Sequence, residues 1–335
     1  MDARRAKANS PEALVDAYRF PLGQARLEEA PPRATVCPPL RIFQESVLAG
    51  NSAHIVGGDF ELAFDQASGS LRRAVAFGEA LLLEFPALHV LPSHSPMSSL
   101  PNRSSWRLRQ MTVEPENDNV RVRLQGSYDG FEGGYELLIT PAGEITAQAS
   151  FRYLGEKFLA REIGWVVTLP KECDLLRWSR EAEWSVYPAD HIGRAAGEAR
   201  AFADHAASLP PTWSWSLDNS PMGCNDFRST KRHIRWASLG YAEGPAILAT
   251  SDASQSVRAT VASDRIAFHV NDWYGGTHVG LWEWTSNYGE GKPITSGQVI
   301  TSVVRLQLVA PRKQDKSTAT TDRLEHPSAG LIGRF

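Results

Sequence analysis

Residues 120–128 read VRVRLQGSY. Val120, Val122 and Leu124 alternate with Arg121, Arg123 and Gln125, so an extended backbone puts the apolar set on one face and the polar set on the other. The stretch therefore predicts a half-buried β-strand. The same habit, alternation or a short apolar run bounded by Gly, Pro, Asn or Asp, recurs upstream in HIVGGDFELAFD (54–65), SLRRAVAFG (70–78) and ALLLEF (80–85). It continues downstream in GYELLIT (134–140), EITAQASFRYL (144–154) and IGWVVTLP (163–170), and returns in AILATS (246–251), VRATVAS (257–263), RIAFHV (265–270) and VITSVVRLQLV (299–309). Helical periodicity is nearly absent between residues 52 and 310. An all-β fold, a large antiparallel supersandwich, is the economical arrangement for such a chain.

The ends read differently. Ser10-Pro11-Glu12 before ALVDAYRF is a helix start, and Pro21 and Gly23 stop that helix within about three turns. Pro31, Pro32, Pro38 and Pro39 make residues 24–42 an extended connector, and the polar, aperiodic residues after 312 read as a mobile tail. The expected organisation is an N-terminal helix and linker over 1–50, one β domain over 51–312 and a tail over 313–335.

Composition narrows the function. The chain has 335 residues, 42% of them hydrophobic, enough to bury a full core. A net charge of -3 and a pI near 6.3 leave no field to attract a phosphate backbone, so no nucleic-acid partner is expected. No stretch has the length and apolarity of a membrane span or a signal peptide, and the chain is expected to be cytoplasmic. Cys37, Cys173 and Cys224 form neither a CxxC pair nor an even-numbered framework and read as buried or partly buried thiols.

Tryptophan is the compositional anomaly. Eight of the ten, Trp178, Trp184, Trp213, Trp215, Trp236, Trp273, Trp282 and Trp284, fall between residues 178 and 284, interleaved with Asp, Glu, Asn, Arg and His. Any one indole is most simply core filling. Together with polar neighbours they suit sugars, whose C–H faces pack on aromatic rings while hydroxyls bond to carboxylates, amides and guanidinium groups. Motifs for catalysis are absent: no GxSxG, no HExxH, no Gly-rich phosphate loop, and no metal-ligand spacing among the nine histidines. No cofactor or metal is expected. Asp129, Glu132, Glu181, Glu183 and Asp190 could supply the carboxylate pair of a glycosidase, but each reads as a turn or surface group. His191, His269 and His278 could act as acid or base, with no spacing to select one.

Residues 161–197, REIGWVVTLPKECDLLRWSREAEWSVYPADHIGRAAG, resemble the signature stretch of the C-terminal domain of family 2 β-galactosidases, which also occurs as a separate small chain. Arg161 and Gly164 open a strand, Trp178 closes the next, and Glu183 precedes a Tyr187-Pro188-x-Asp190 turn. The opening hairpin around Gly69 and the closing segments after Ile266 extend the resemblance over roughly 51–310. It implies a galactose mutarotase-like supersandwich without catalytic carboxylates of its own, walling the sugar pocket of a barrel-bearing catalytic chain. In the family a tryptophan from the late loop meets the sugar, which here implies Trp282 or Trp284. The family's Gly-Asp-x-Ser-Trp wording is absent from this loop. With Trp273 and His278 on the same loop, and Glu183, Asp190 and Arg194 around the turn, these form the expected substrate-binding set for a β-galactoside-like ligand. Two alternatives are an independent sugar-binding module and a mutarotase-like epimerase, the latter requiring a histidine and a carboxylate to converge in one concave site.

Overall fold

The computed structural model describes residues 37–47, 50–93, 99–181, 193–201, 226–275 and 291–311. Among these the secondary structure is β throughout, apart from one 3₁₀ turn at Arg103–Ser105. Strands β1 (Arg41–Val47), β2 (Gly50–Val56), β3 (Phe60–Asp65), β4 (Leu71–Ala76) and β5 (Glu79–Leu82) form a meander of five strands in sequence order. Its first strand lies within the stretch read as linker.

A nine-stranded sheet carries the order β13-β12-β14-β15-β19-β10-β9-β8-β7. These are β7 (Arg107–Glu116), β8 (Asn119–Tyr128), β9 (Phe131–Ile139), β10 (Glu144–Tyr153), β12 (Leu175–Arg180), β13 (Ala196–Arg200), β14 (Ile234–Gly240), β15 (Ala246–Thr250) and β19 (Val299–Val309). The third sheet runs β16 (Ser256–Val261), β17 (Arg265–Tyr274), β11 (Phe158–Pro170), with β18 (Lys292–Ile294) and β6 (Leu88–Pro92) both pairing β11. Every pairing is antiparallel, as the short turns and alternation require.

The nine-stranded sheet and the β11 sheet enclose one apolar core. Val120, Val122 and Leu124 of β8, Ala147, Ala149 and Phe151 of β10, and Trp165, Val167 and Leu169 of β11 are all buried in it. Tyr135 joins the two layers: its ring lies 5.7 Å from that of Trp165, and its hydroxyl accepts the Leu88 amide at 2.9 Å. The antiparallel β-sandwich expected from the alternation is the fold observed.

Candidate functional site

Strand β11 is apolar on both faces along nearly all its length, with one carboxylate, Glu162, fully buried within it. A carboxylate in such a strand must find partners on its own face. The register provides them. Trp165 pairs Val270 toward the core, so Gly164 opposite Asn271 and Val166 opposite His269 point away from it. On the flanks, Arg258 lies opposite His269, Ser256 opposite Asn271, and His89 opposite Gly164. The sheet face turned away from the apolar core thus gathers Arg258, His269, Asn271, Ser256, His89 and Glu162.

Gly164 sits in the middle of this row. A Cβ there would lie 2.1 Å from the Val270 carbonyl oxygen and 2.5 Å from the Asn271 Cα. Only glycine fits that close approach. The bare position leaves His89 and Asn271 free to meet over the Glu162 carboxylate.

The contacts are direct. His89 Nε2 stands 2.8 Å from Glu162 Oε2, and Arg258 Nε lies 2.9 and 3.0 Å from the two carboxylate oxygens. Asn271 Nδ2 donates to Oε2 at 3.2 Å. His89 Nδ1 is 2.7 Å from Ser99 Oγ, and His269 Nε2 is 3.0 Å from Thr260 Oγ1. The two imidazole rings meet edge to face at 4.5 Å.

Burial alone pushes the Glu162 carboxyl up. The His89 hydrogen bond and the Arg258 charge outweigh it and hold the group down at about 2. Burial lowers His89 despite the pull of Glu162, and lowers His269 well below the usual imidazole range, with Arg258 adding to the effect. The charged pair is therefore Glu162 with Arg258, and both imidazoles are neutral. Three polar atoms on this face are buried without a hydrogen-bond partner among the described residues: Ser256 Oγ, His269 Nδ1 and Asn271 Oδ1. Buried polar atoms are nearly always satisfied, so these three are hydrogen-bonding capacity that a further polar group can use.

Of the substrate-binding set expected from sequence, Trp282, Trp284, His278, Glu183 and Asp190 lie outside the described residues. Trp273 pairs Ile163, beyond an irregularity that shifts the β11–β17 register, and packs half-buried against the core side, with the Lys292 ammonium 5.7 Å over its ring. It does not join the polar row. Arg194 is buried elsewhere, bonded to Asp226 Oδ2 at 2.7 Å and lying 4.8 Å over Trp178. Lys231 covers the same indole at 4.5 Å; burial outweighs the pull of Asp226 and lowers its ammonium to about 7. That cluster fixes Trp178, which the sequence comparison singled out, as a core residue.

His89, Glu162, Arg258 and Asn271 were not among the expected site residues. A signal exists for two of them: in FLAREIGWVVTLP and RIAFHVN, Glu162 and Asn271 stand in otherwise mostly apolar runs.

No protein-family model matches the sequence, and no curated protein does either. Solved structures resembling it include a TPR-domain containing protein from Parabacteroides distasonis (10% identity, TM-score 0.44, covering 85% of this chain and 50% of that one). Another is a galactose mutarotase-like protein from Lactobacillus casei (10% identity, TM-score 0.41, covering 77% and 100%). A third is an alpha-mannosidase from Enterococcus faecalis (9% identity, TM-score 0.44, covering 77% and 29%). The chain spans half of the first of these proteins and under a third of the last.

Proposed function

We propose that this chain is a non-catalytic carbohydrate-binding domain of the family 2 glycoside hydrolase kind, a C-terminal domain or small chain that completes the sugar pocket of a barrel-bearing partner. The observation that carries the reading is the row of orphaned polar atoms, Ser256 Oγ, His269 Nδ1 and Asn271 Oδ1, beside the Arg258–Glu162 pair. Sugar hydroxyls both donate and accept, and a face offering acceptors, a hydroxyl and a guanidinium suits them. The resemblance of residues 161–197 supports the family, and a β-galactoside-like ligand follows from it.

The pure chain is expected to leave nitrophenyl galactoside and glucuronide intact and to bind galactosides weakly. Titration of galactose, glucuronate and short β-linked oligosaccharides, followed by tryptophan fluorescence, tests the binding. Turnover without a partner chain would overturn the non-catalytic part.

One observation favours a second reading, a mutarotase-like epimerase: His89 and Glu162 do converge, at 2.8 Å. Against Glu162 as the base stands its carboxylate, held at about 2 by its donors and so a weak proton acceptor. Accelerated exchange between galactose anomers, read by NMR and lost in His89→Gln, would favour the epimerase.

A further inference from the structure

His89, Glu162 and His269 each offer one ligand atom, all within 4.8 Å of one another, and all three residues are buried. A first-row divalent ion bound at about 2.0–2.2 Å needs its donors about 3–3.5 Å apart. Modest side-chain rotation closes that gap.

The outer contacts of the two imidazoles are already those of metal ligands. In such sites the nitrogen not on the metal donates to a neighbouring oxygen, which fixes the tautomer and the ring plane. In the tautomer whose Nε2 donates to Thr260 Oγ1, 3.0 Å away, His269 carries its lone pair on Nδ1, an atom that is buried with no partner among the described residues. His89 Nδ1 has Ser99 Oγ at 2.7 Å. If the His89 proton moves to Nδ1, it is donated to Ser99, and the Nε2 lone pair and Glu162 Oε2, which keeps its Arg258 and Asn271 donors but loses that of His89, can turn toward one ion. No net proton is released at His89, since only its tautomer changes. Asn271 Oδ1, the other orphaned acceptor, supplies a fourth oxygen in the same row.

We infer that His89, Glu162 and His269 form a binding site for a borderline divalent transition-metal ion, zinc being the probe of choice, with Asn271 as a further oxygen donor. Two imidazoles and a carboxylate select this class over calcium or magnesium, which prefer all-oxygen sites. Arg258, on the same carboxylate, opposes the ion's charge, so the affinity is expected in the micromolar range and below that of a closed thiolate site. The inference departs from the expectation of no metal, which rested on spacing alone: these ligands come from three strands, and no local spacing encodes them. It does not rest on the sugar reading, because the metal is titrated without sugar.

The test uses the full chain after chelator dialysis. Isothermal titration with Zn²⁺ should give one ion per chain, and Co²⁺ should give visible bands of nitrogen and oxygen ligation without a thiolate charge-transfer band, which excludes the cysteines. His269→Gln and Glu162→Gln should each weaken Zn²⁺ binding at least about tenfold. Should Glu162→Gln fail to fold, His269→Gln, whose side chain among the described residues hydrogen-bonds to Thr260 alone, carries the comparison. Zn²⁺ should also shift the ring nitrogen resonances of His89 and His269 in the wild type. No saturable binding at millimolar Zn²⁺, or undiminished binding in a folded His269→Gln variant, overturns the inference.

Discussion

Two outward sheet faces of this molecule carry polar residues at alternate positions, and they live in different environments. On the nine-stranded sheet, Arg121, Arg123, Glu136, Gln125, Gln148 and Arg152 line an open hollow of about 570 Å³ or its rim. Arg121 bridges Glu116 and Glu136, and Arg123 reaches Glu136 at 2.9 Å and Glu114 at 3.2 Å, all in contact with solvent. On the β11 sheet, Glu162, His89, His269 and Asn271 are equally polar and equally outward, yet buried, and some of their atoms have no partner. The first face is a solvated lattice of ion pairs. The second is the candidate site, where burial makes every unsatisfied group costly and every charge dependent on its partner.

The sharpest break of this comparison is a matched pair of carboxylate deletions. Glu162→Ala strands Arg258, whose side chain is 16% exposed, and is expected to cost about 3 kcal/mol, the low end for a broken buried pair. Glu136→Ala on the open face is expected to cost under about 1 kcal/mol. Equilibrium denaturation of both variants reads the contrast, and equal losses would erase the distinction between the faces.

Acid should act through the buried face. His89 and His269 have folded pKa values below the unfolded one, and so does Glu162, so the unfolded chain binds more protons in each window and stability falls as pH drops. The loss should start near pH 6.5 through the imidazoles. It should deepen from pH 4.5 toward 2 through Glu162, whose share is about 3 kcal/mol. Thermal unfolding from pH 7 to 3 should show this slope in the wild type and a shallower one below pH 4.5 in Glu162→Gln.

A smaller effect is expected at Gly164. Gly164→Ala drives a methyl into the β17 backbone and should cost about 1–3 kcal/mol. It should also move the His89 and Asn271 side-chain resonances. A neutral substitution would mean that the close approach of β11 and β17 is not required.

The sandwich was legible where burial follows period 2. Strands β8 and β10 alternate along their length and β19 over its first part, and the turns beside them carry glycine or asparagine. Strand β6, LHVLP, is five residues ending in proline and has no period to read. Strand β7, RLRQMTVEPE, has no fully buried position on either face and looks like a loop. The site was less legible for a different reason. Its residues come from β6, β11, β16 and β17, and only the pairing register brings Glu162 within 2.8 Å of His89, 73 residues away in sequence. The indoles drew attention because tryptophan is rare, but Trp178 and Trp236 prove to be buried in apolar clusters. His269 stood out in sequence only as one of several histidines.

The most direct test of the sugar-site assignment is a galactoside titration of three proteins side by side: wild type, Asn271→Ala on the buried face and Gln148→Ala on the open one, each shown to be folded by its β-sheet circular dichroism. The expected result is weak saturable binding by the wild type and by Gln148→Ala, and none by Asn271→Ala. Binding that survives Asn271→Ala and disappears with Gln148→Ala would place the ligand on the nine-stranded sheet and contradict the assignment.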